Sequence, residues 1–253
     1  MIDFHCHILP GIDDGAENME EAVRLCEIAV ENRITKSIVT PHLANMNEVD
    51  DFIRLRDRRL DELRSELDRR KIELELYPAT EIFVNDDVFY APNLDSATIN
   101  GTSYVLIEFS FRGLNINRLI KYVQEFTSRG YQPIIAHPER YAYMQADYDI
   151  VNHLADIGVL FQLNSASLAG FMGPVPQELS YAMAYNGLAS FIGTDAHSVA
   201  HRPTNLFEQA QRFPHSISEQ TYENLLERNA QAVLDGKPVI REEMYAIHPR
   251  RFF

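Results

Sequence analysis

The stretch Ile2-Asp3-Phe4-His5-Cys6-His7 has the length and composition of a short β-strand. Successive side chains of a strand point to opposite faces, so His5 and His7 should project together while Phe4 and Cys6 face the other way. Imidazole is a common ligand of Zn, Mn and Fe, and active sites of β/α barrels form at the carboxyl ends of strands. The pair therefore suggests a metal site, although a surface strand with two chance histidines explains it equally well when it is taken alone.

Outward from this strand, predicted helices and strands alternate along the chain. An acidic loop at 13–17 precedes helical spacing of apolar residues at 22–30, and the β-branched segment 36–40 stops at Pro41, which cannot donate to a sheet. A long helix with one apolar stripe is predicted over 48–71, and its charges are expected to form a solvated face. The remaining predicted strands are 73–81, 104–108, 132–136, 159–163 and 189–193, and the remaining helices are 115–130, 147–157 and 175–187, with more helix towards the end.

Seven strands that alternate with helices over 253 residues, without a low-complexity linker, predict an α/β protein with a parallel sheet. At this length a closed or nearly closed TIM-like barrel is the commonest arrangement. We therefore expect a (β/α)7 barrel in one domain that spans residues 1–253.

The composition excludes several classes of function. The chain carries 23 Lys and Arg against 37 Asp and Glu, a formal net charge of -14, whereas nucleic-acid surfaces need clustered positive charge. No apolar run is long enough to span a membrane and the first residues lack the pattern of a signal peptide, so we expect a cytoplasmic protein without membrane insertion. Cys6 and Cys26 are too few for a disulfide framework. The sequence leaves the oligomeric state open.

Potential metal ligands follow the apolar runs of five further strands. They are His42, Glu81, Glu108, His137, Asp195 and His197. Carboxylates that converge at strand ends repel one another and are costly to bury, and bound cations would offset both effects. Five histidines and three carboxylates exceed what one four-coordinate ion needs, so two or three divalent ions are predicted, with Glu81 or Asp195 able to bridge. Taken singly, a capping role for Asp195 or a core position for His137 is the simpler interpretation.

The loop after the first strand offers one more ligand. Asp14 stands beside Gly15, where a turn or a helix cap is an equally good interpretation. Glu17 is the nearby substitute, and the spacing does not choose between the two carboxylates.

Clustered divalent ions beside arginines predict hydrolysis of a phosphate ester. Such ions lower the pKa of bound water and neutralise phosphoryl oxygens, so that hydroxide attacks phosphorus in line. Arg140 and Arg202 offer planar donor forks for the phosphate, and we predict both arginines and Asp195 as catalytic residues. For Arg202, which precedes Pro203, a surface salt bridge is the alternative. A phenolate leaving group, with a pKa of about 10, needs little general-acid help, so phosphotyrosine suits such a site.

Two other phosphate chemistries are excluded by spacing. A cysteine-based phosphatase needs Cys-x5-Arg, but Ile12 and Asn32 stand where Cys6 and Cys26 would require that arginine. The Gly-x4-Gly-Lys-Ser/Thr pattern of P-loop kinases does not occur in the sequence.

Aromatic residues near the expected mouth of the barrel have two interpretations. They either contact a peptide or phenyl ring of the substrate or simply pack their own loops. These residues are Phe109, Phe111, Tyr141 and Tyr143. The histidines outside the strand ends are predicted to be surface or structural residues, with His201, next to Arg202, as the first exception to consider. They are His153, His201, His215 and His248.

In this order the residues resemble the polymerase and histidinol phosphatase (PHP) family of metal-dependent phosphoesterases. The matching motifs are His5-x-His7 with Asp13-Asp14-Gly15, Pro41-His42, Glu81, Glu108, His137-Pro138-Glu139-Arg140 and Asp195-x-His197. Within the family, the chain is most similar to the CpsB/YwqE-type branch of bacterial tyrosine-protein phosphatases from exopolysaccharide operons. One local departure is Cys6, at a position that is often Ser.

The resemblance implies a distorted seven-stranded β/α barrel, the PHP fold, with a trinuclear site. Manganese is the usual metal, and Fe, Zn or Mg are possible. The implied ligands are His5, His7, Glu81 and Asp195 for one ion, Glu81, Glu108 and His137 for a second, and Asp14, His42 and His197 for the third. Arg140 and Arg202 fall where this branch places its phosphate-binding arginines.

The function that the resemblance implies is metal-dependent hydrolysis of phosphotyrosine, by a phosphoric monoester hydrolase of the protein-tyrosine-phosphatase type. Its expected substrate is the phosphorylated tail of a bacterial tyrosine autokinase that regulates capsular or exopolysaccharide synthesis. One alternative keeps the metals but acts on a small phosphate ester such as histidinol phosphate, or on a nucleotide end. Another is a non-catalytic assembly partner that uses the Arg-rich helix at 54–70.

Overall fold

A computed structural model describes residues 1–91 and 94–248. Residues 92–93 and 249–253 of the predicted domain 1–253 therefore lie outside the described residues. The described chain contains nine strand segments. They are β1 (Ile2–Cys6), β2 (Lys36–Val39), β3 (His42–Leu43), β4 (Glu75–Pro78), β5 (Glu81–Phe83), β6 (Tyr104–Glu108), β7 (Gln132–Ala136), β8 (Leu160–Asn164) and β9 (Phe191–Gly193).

Every neighbouring pair of strands is parallel, in the orders β1-β2-β4 and β3-β5-β6-β7-β8-β9. The ring closes between β9 and β1, where the Asp195 N–H donates to the His5 carbonyl and the His7 N–H donates to the Ala196 carbonyl, both at 2.8 Å. These contacts confirm the predicted parallel barrel.

Nine segments fill seven barrel positions because the second and third strands are each interrupted. Pro41, which has no N–H, lies between β2 and β3, and Ala79 and Thr80 lie between β4 and β5. The expected continuous strand 73–81 is therefore wrong in its bounds. Pairing resumes at His42 and Glu81, whose Cα atoms are partners in the ladder between β3 and β5. Both predicted ligands thus begin the second half of a broken strand.

The first strand differs from its predicted alternation. Its register against β2 shifts between Asp3 and Cys6, where three steps of β1 oppose two steps of β2. This bulge adds one residue and turns Phe4 into the barrel, where its ring stacks on Phe191 with centroids 3.9 Å apart. The expectation that Phe4 and Cys6 face the same way is wrong, and Cys6 alone packs outwards against the helices.

Helices connect the strands and cover the outside of the barrel. They are α1 (Met19–Glu31), α2 (Val49–Arg70), α3 (Ile116–Ser128), α4 (Ala142–Ala146), α5 (Asp149–Asp156), α6 (Ser165–Leu168), α7 (Pro174–Tyr185), α8 (Leu206–Ala210), α9 (Glu219–Glu223) and α10 (Asn229–Leu234). A π-helical turn, Asn224–Arg228, joins α9 to α10. Residues of α10 belong to the same buried cluster as Phe4 and Phe191, so this helix packs against the barrel interior.

The long helix α2 has the predicted apolar stripe, with Ile53, Leu60, Leu63 and Leu67 buried. Its charges form a solvated face with one exception. Arg56 is buried and donates to the Thr80 hydroxyl at 3.2 Å and to the Ser96 carbonyl at 2.9 Å, next to the interruption of the third strand. Both cysteines are buried and unpaired. Within 1–91 and 94–248, every helix is too short or too polar to cross a bilayer.

Candidate metal centre

Six strand ends and one loop deliver the predicted ligands to one place at the carboxyl end of the barrel. Glu81, fully buried, is at its centre. Its Oε2 atom lies 3.2 Å from Nε2 of His5 and 3.3 Å from Nε2 of His7, and these two nitrogens are 3.0 Å apart. The Oδ1 atom of Asp195 completes the group at 3.7 Å from His5 and 3.5 Å from His7.

On the other side of Glu81, a second group includes Glu108. Nδ1 of His42 lies 3.1 Å from Glu81 and 3.8 Å from Glu108, while Nε2 of His137 lies 3.0 Å and 3.6 Å from the same two carboxylates. His42 therefore contacts this group as closely as His137 does. The ligand sets that the resemblance implies place only His137 beside these two carboxylates and assign His42 to the third ion.

The third group is the most exposed. Oδ1 of Asp14 lies 3.5 Å from Nε2 of His42 and 3.4 Å from Nε2 of His197. These three residues and His7 offer ligand atoms that all lie within 4.8 Å of one another. Glu17 is exposed, and among the described residues it belongs to none of the candidate ligand groups, so the geometry favours Asp14.

Local backbone conformation turns two of these side chains inwards. His137 and Asp195 follow β7 and β9 directly, and both have a positive φ, 34° and 54°. A non-glycine residue in this region is strained by on the order of 1–3 kcal/mol. Gly15 is needed for a different reason, because a Cβ atom there would lie 2.7 Å from the Cβ of His7. Both strained residues are thus predicted ligands.

Charge is distributed unevenly over the group. Burial opposes ionisation of Glu81, but His5 and hydrogen bonds from His137 and His42 outweigh it and hold its pKa well below the usual range. Burial and the neighbouring Glu81 raise the pKa of Glu108 to about 7. Burial disfavours the charged form of His7, yet hydrogen bonds to Asp13 and Glu81 raise its pKa to about 10. Protons on these side chains balance the clustered carboxylates when no cation does so.

The donor set fits divalent metal ions. Imidazole nitrogens and carboxylate oxygens are the ligands that Mn, Fe and Zn take, and within each candidate group these atoms lie within 4.8 Å of one another. The Nε2 atoms of His5 and His7 face each other and both face Glu81, an arrangement that a cation between them would stabilise.

Both predicted arginines reach this centre. Nη1 of Arg140 lies 2.8 Å from Oδ2 of Asp195, and Nη2 of Arg202 contacts the same oxygen. The Asp195 side chain is 2% exposed, whereas those of Arg140 and Arg202 are 23% and 33% exposed. Arg202 therefore pairs with a buried carboxylate at the site, not with a surface partner, and each guanidinium keeps an open edge towards solvent.

The aromatic residues divide into two pairs. Phe109 and Tyr141 are fully buried, and the Phe109 N–H donates to the Tyr141 hydroxyl, so the idea that these two contact a substrate is wrong. Tyr143 is half-buried and stacks on Tyr141. Phe111 is 37% exposed, stacks on the His137 ring at 5.6 Å and lies under the Arg140 guanidinium at 4.8 Å.

The four histidines outside the centre are all exposed, as expected for surface residues. They are His153, His201, His215 and His248.

Three residues at the centre were missed by the sequence analysis. Asp13 accepts a hydrogen bond from Nδ1 of His7 at 2.8 Å, but only the adjacent Asp14 had been considered as a ligand. Gln162 and Asn164, both buried on β8, contact His5 and Asp195. Gln162 lies in the predicted strand 159–163 and Asn164 directly follows it, so their i, i+2 spacing was the available signal.

Comparison with known proteins assigns the chain to a family. Residues 1–235 match the family model for capsular polysaccharide synthesis, CpsB/CapC. The chain belongs to the CpsB/CapC family. It is 34% identical over 206 residues to a putative tyrosine-protein phosphatase CapC of Staphylococcus aureus, covering 80% of this chain and 79% of the relative. It is 30% identical over 262 residues to the tyrosine-protein phosphatase YwqE of Bacillus subtilis, covering 100% of this chain and 99% of the relative.

Solved structures support the same CpsB/CapC assignment. A crystal structure from work on YwqE of Bacillus subtilis and CpsB of Streptococcus pneumoniae, described as metal-dependent tyrosine phosphatases, superposes with a TM-score of 0.85. It is 28% identical and covers 98% of this chain and 100% of the other. A histidinol phosphate phosphatase of Lactococcus lactis superposes at a TM-score of 0.50 with 14% identity over 83% of this chain and 90% of the other, a likeness of fold alone. The predicted resemblance and barrel fold are confirmed.

Proposed function

We propose that this chain is a metal-dependent tyrosine-protein phosphatase, and that it acts in the cytoplasm on the phosphorylated tail of a bacterial tyrosine autokinase that regulates capsular or exopolysaccharide synthesis. The observation that carries the proposal is the convergence of nine predicted ligand residues and two arginines at one end of the barrel. Its relatives CapC and YwqE are named as tyrosine-protein phosphatases.

The ligands would hold two or three ions, with manganese as the expected metal. In the first proposed set, His5, His7 and Asp195 lie on one side of Glu81. In the second set, Glu108, His137 and His42 lie on the other side of Glu81. The third set adds Asp14 and His197 to His42. When bound, divalent ions at these ligands supply activated water and neutralise phosphoryl charge.

Arg140 and Arg202 would bind the phosphate group. Each guanidinium is held by Asp195 through one edge, which leaves other N–H groups for phosphate oxygens. Because Asp195 is buried and fixed by both arginines, it keeps the two donor forks directed to the same point. As the transition state gains charge on its equatorial oxygens, these preorganised donors stabilise it more than they stabilise the bound substrate.

An aryl ester suits the surroundings of Arg140. Phe111 presents a partly exposed ring beside it, against which the phenyl ring of phosphotyrosine can pack. Phenolate, with a pKa of about 10, leaves without a strong general acid, whereas an alkoxide needs one. The Phe111 ring and the two arginines thus favour phosphotyrosine over alkyl phosphates.

The assembly-partner alternative has less support. Most arginines of α2 are already paired with acidic side chains on the same helix. These pairs are Arg54 with Asp51, Arg59 with Glu62, Arg64 with Asp61 and Arg69 with Glu66. Such a face is nearly neutral and offers little net charge to a partner.

The test compares phosphate release from a phosphotyrosine peptide of the kinase tail, free phosphotyrosine and histidinol phosphate, each with added Mn²⁺. We expect the peptide to have the highest kcat/KM and chelator to abolish release. His5→Ala should abolish it as well, whereas His153→Ala, which changes an exposed histidine on α5, should keep wild-type activity. Release that is insensitive to chelator and to His5→Ala would refute the metal centre. Faster release from histidinol phosphate would refute the choice of substrate.

A further inference from the structure

Strand β8 supplies none of the proposed ligands, yet its inward side chains at the carboxyl end are polar. Gln162 and Asn164 are 0% and 3% exposed, and they continue the inward face that begins with Leu160. A buried amide without partners costs on the order of 1–3 kcal/mol, so two amides at the end of a barrel strand need an explanation.

We propose that Gln162 and Asn164 are positioning residues that fix the ring orientation of His5 and the carboxylate of Asp195 for metal binding. The inference rests on the proposed metal centre and deepens it by assigning a role to β8, which, within the described residues, neither carries nor directly precedes a proposed ligand. It concerns the side chains behind the ligands and leaves the ligand set unchanged.

The first step is the orientation of the Gln162 amide. Its Nε2 donates to the Leu163 carbonyl at 2.7 Å and to Oδ1 of Asn164 at 3.1 Å, so both N–H groups are used. Oε1 must therefore face the other way, where it lies 2.8 Å from Nδ1 of His5 and accepts the backbone N–H of His137 at 3.3 Å.

An oxygen facing Nδ1 of His5 determines which ring nitrogen carries the proton. Because a carbonyl oxygen only accepts, Nδ1 must be the donor, and the neutral ring then has its lone pair on Nε2. That is the nitrogen directed at Glu81 and His7. A ligating histidine whose second nitrogen is held in this way is better oriented and a stronger donor to a metal.

Asn164 continues the chain of hydrogen bonds from Gln162 to Asp195. Its Oδ1 accepts from Gln162, so its Nδ2 is turned to Asp195 and donates to Oδ2 at 2.7 Å. Arg140 and Arg202 contact that same oxygen. Three donors on Oδ2 leave Oδ1 of Asp195 directed towards the histidine ligands, so the chain of amides fixes which carboxylate oxygen is available to a metal.

The end of β8 is itself anchored. The Asn164 backbone N–H donates to Oε1 of Glu139 at 3.0 Å, and Glu139 is fully buried within the His137-Pro138-Glu139-Arg140 segment. This hydrogen bond joins the end of β8 to the segment that supplies His137 and Arg140.

The experiment measures Mn²⁺ binding directly, from the electron paramagnetic resonance signal of free Mn²⁺ in titrations of purified protein. Gln162→Met removes the acceptor for His5, and Gln162→Glu restores an acceptor oxygen. Leu160→Met, a volume-conserving change on the same inward face, is the matched control. We expect a loss of about tenfold or more in Mn²⁺ affinity for the Met variant, a smaller loss for the Glu variant and no loss for the control.

A second readout separates positioning from general weakening of the fold. In ¹⁵N spectra of the metal-free protein at high pH, His5 should be an Nδ1–H tautomer in the wild type and a mixture in Gln162→Met. If that variant does not fold, Asn164→Asp, which is nearly isosteric, carries the same test through Asp195 and should also lower Mn²⁺ affinity by about tenfold. Wild-type affinity in the folded variants, or an equal loss in Leu160→Met, would overturn the inference.

The outcome also distinguishes this inference from the proposed function. If the wild type binds Mn²⁺ in a Gln162-dependent manner but does not hydrolyse phosphotyrosine, the proposed reaction fails and the positioning role stands. If the wild type hydrolyses phosphotyrosine and Gln162→Met binds Mn²⁺ normally, only the positioning role fails.

Discussion

Replacing Asp13 by Asn should destabilise the metal-free protein and change how its stability depends on pH. The Asp13 side chain is 5% exposed and accepts three hydrogen bonds, from Nδ1 of His7 at 2.8 Å and from the backbone N–H groups of His42 and Gly15, both at 3.0 Å. An amide has one acceptor oxygen where the carboxylate has two, so Asp13→Asn leaves at least one buried N–H group unpaired.

The magnitude follows from the ionisation of Asp13. Burial opposes its ionisation, but the His7 ring and the two backbone N–H groups lower its pKa from 3.8 to about 2. At about 1.4 kcal/mol for each tenfold change in ionisation constant, this corresponds to about 2.5 kcal/mol. The larger rise in the pKa of His7 also contains the effect of Glu81, whereas the Asp13 value gives the joint contribution of His7 and the two backbone N–H groups.

The sign with respect to pH follows from the direction of this change. Because the pKa of Asp13 is lower in the folded than in the unfolded state, its stabilising contribution is complete above pH about 4 and is lost as the pH falls towards 2. The gap in unfolding free energy between wild type and Asp13→Asn should therefore be about 2.5 kcal/mol at pH 7 and shrink below pH about 4.

Urea unfolding in the presence of a chelator, from pH 7 down to pH 3, measures this gap. Asp156→Asn is the control because Asp156 is exposed, and its effect should stay within about 0.5 kcal/mol. A gap for Asp13→Asn as small as that of the control, or one that does not change with pH, would show that Asp13 does not hold His7 as described.

Three further predictions concern metal and substrate. Since the pKa of His7 is raised to about 10 and that of Glu108 to about 7, Mn²⁺ binding at pH 7 should release at least one proton and should weaken as the pH falls. Calorimetry in buffers of different ionisation enthalpy measures the proton release. Binding heats that are independent of the buffer would contradict this prediction. Arg140→Lys and Arg202→Lys should each lower kcat/KM for a phosphotyrosine peptide by roughly 10²-fold, while Mn²⁺ affinity stays within a few-fold of the wild-type value. A change in KM alone would argue against transition-state binding by these arginines. Phe111→Leu should reduce the preference for phosphotyrosine over an alkyl phosphate by about two- to tenfold, measured as a ratio of kcat/KM, and an unchanged ratio would remove Phe111 from the substrate pocket.

The convergence of the predicted ligand side chains was predictable because one rule governs it. Parallel strands end at the same edge, so polar residues such as His137 and Asp195 that follow apolar runs must meet there, whatever the exact strand bounds. This rule needs only the order of strands and their ends, and both can be read from hydrophobic patterns. Although Pro41 interrupts the second strand, His42 still lies at the carboxyl end of the barrel with the other predicted ligands.

What the patterns did not predict depends on contacts between strands. The β1 bulge arises from register against β2, and nothing in the sequence of β1 alone marks Phe4 as inward-facing. Asp13 was passed over because a contact with His7 depends on the path of the loop, which Gly15 sets by close approach to His7. Gln162 was passed over because an amide is not a metal ligand, although its spacing to Asn164 placed both on the inner face.

The β1 bulge has a consequence for how this chain can vary. One extra residue between Asp3 and Cys6 places Phe4 and His5 on the same side, so that one strand supplies both a ring that stacks on Phe191 and a nitrogen that faces Glu81. Deleting a single residue there would rotate one of them out towards α1. The length of β1 is therefore constrained as well as the identity of Phe4 and His5, and insertions or deletions are better accommodated in the loop that follows it.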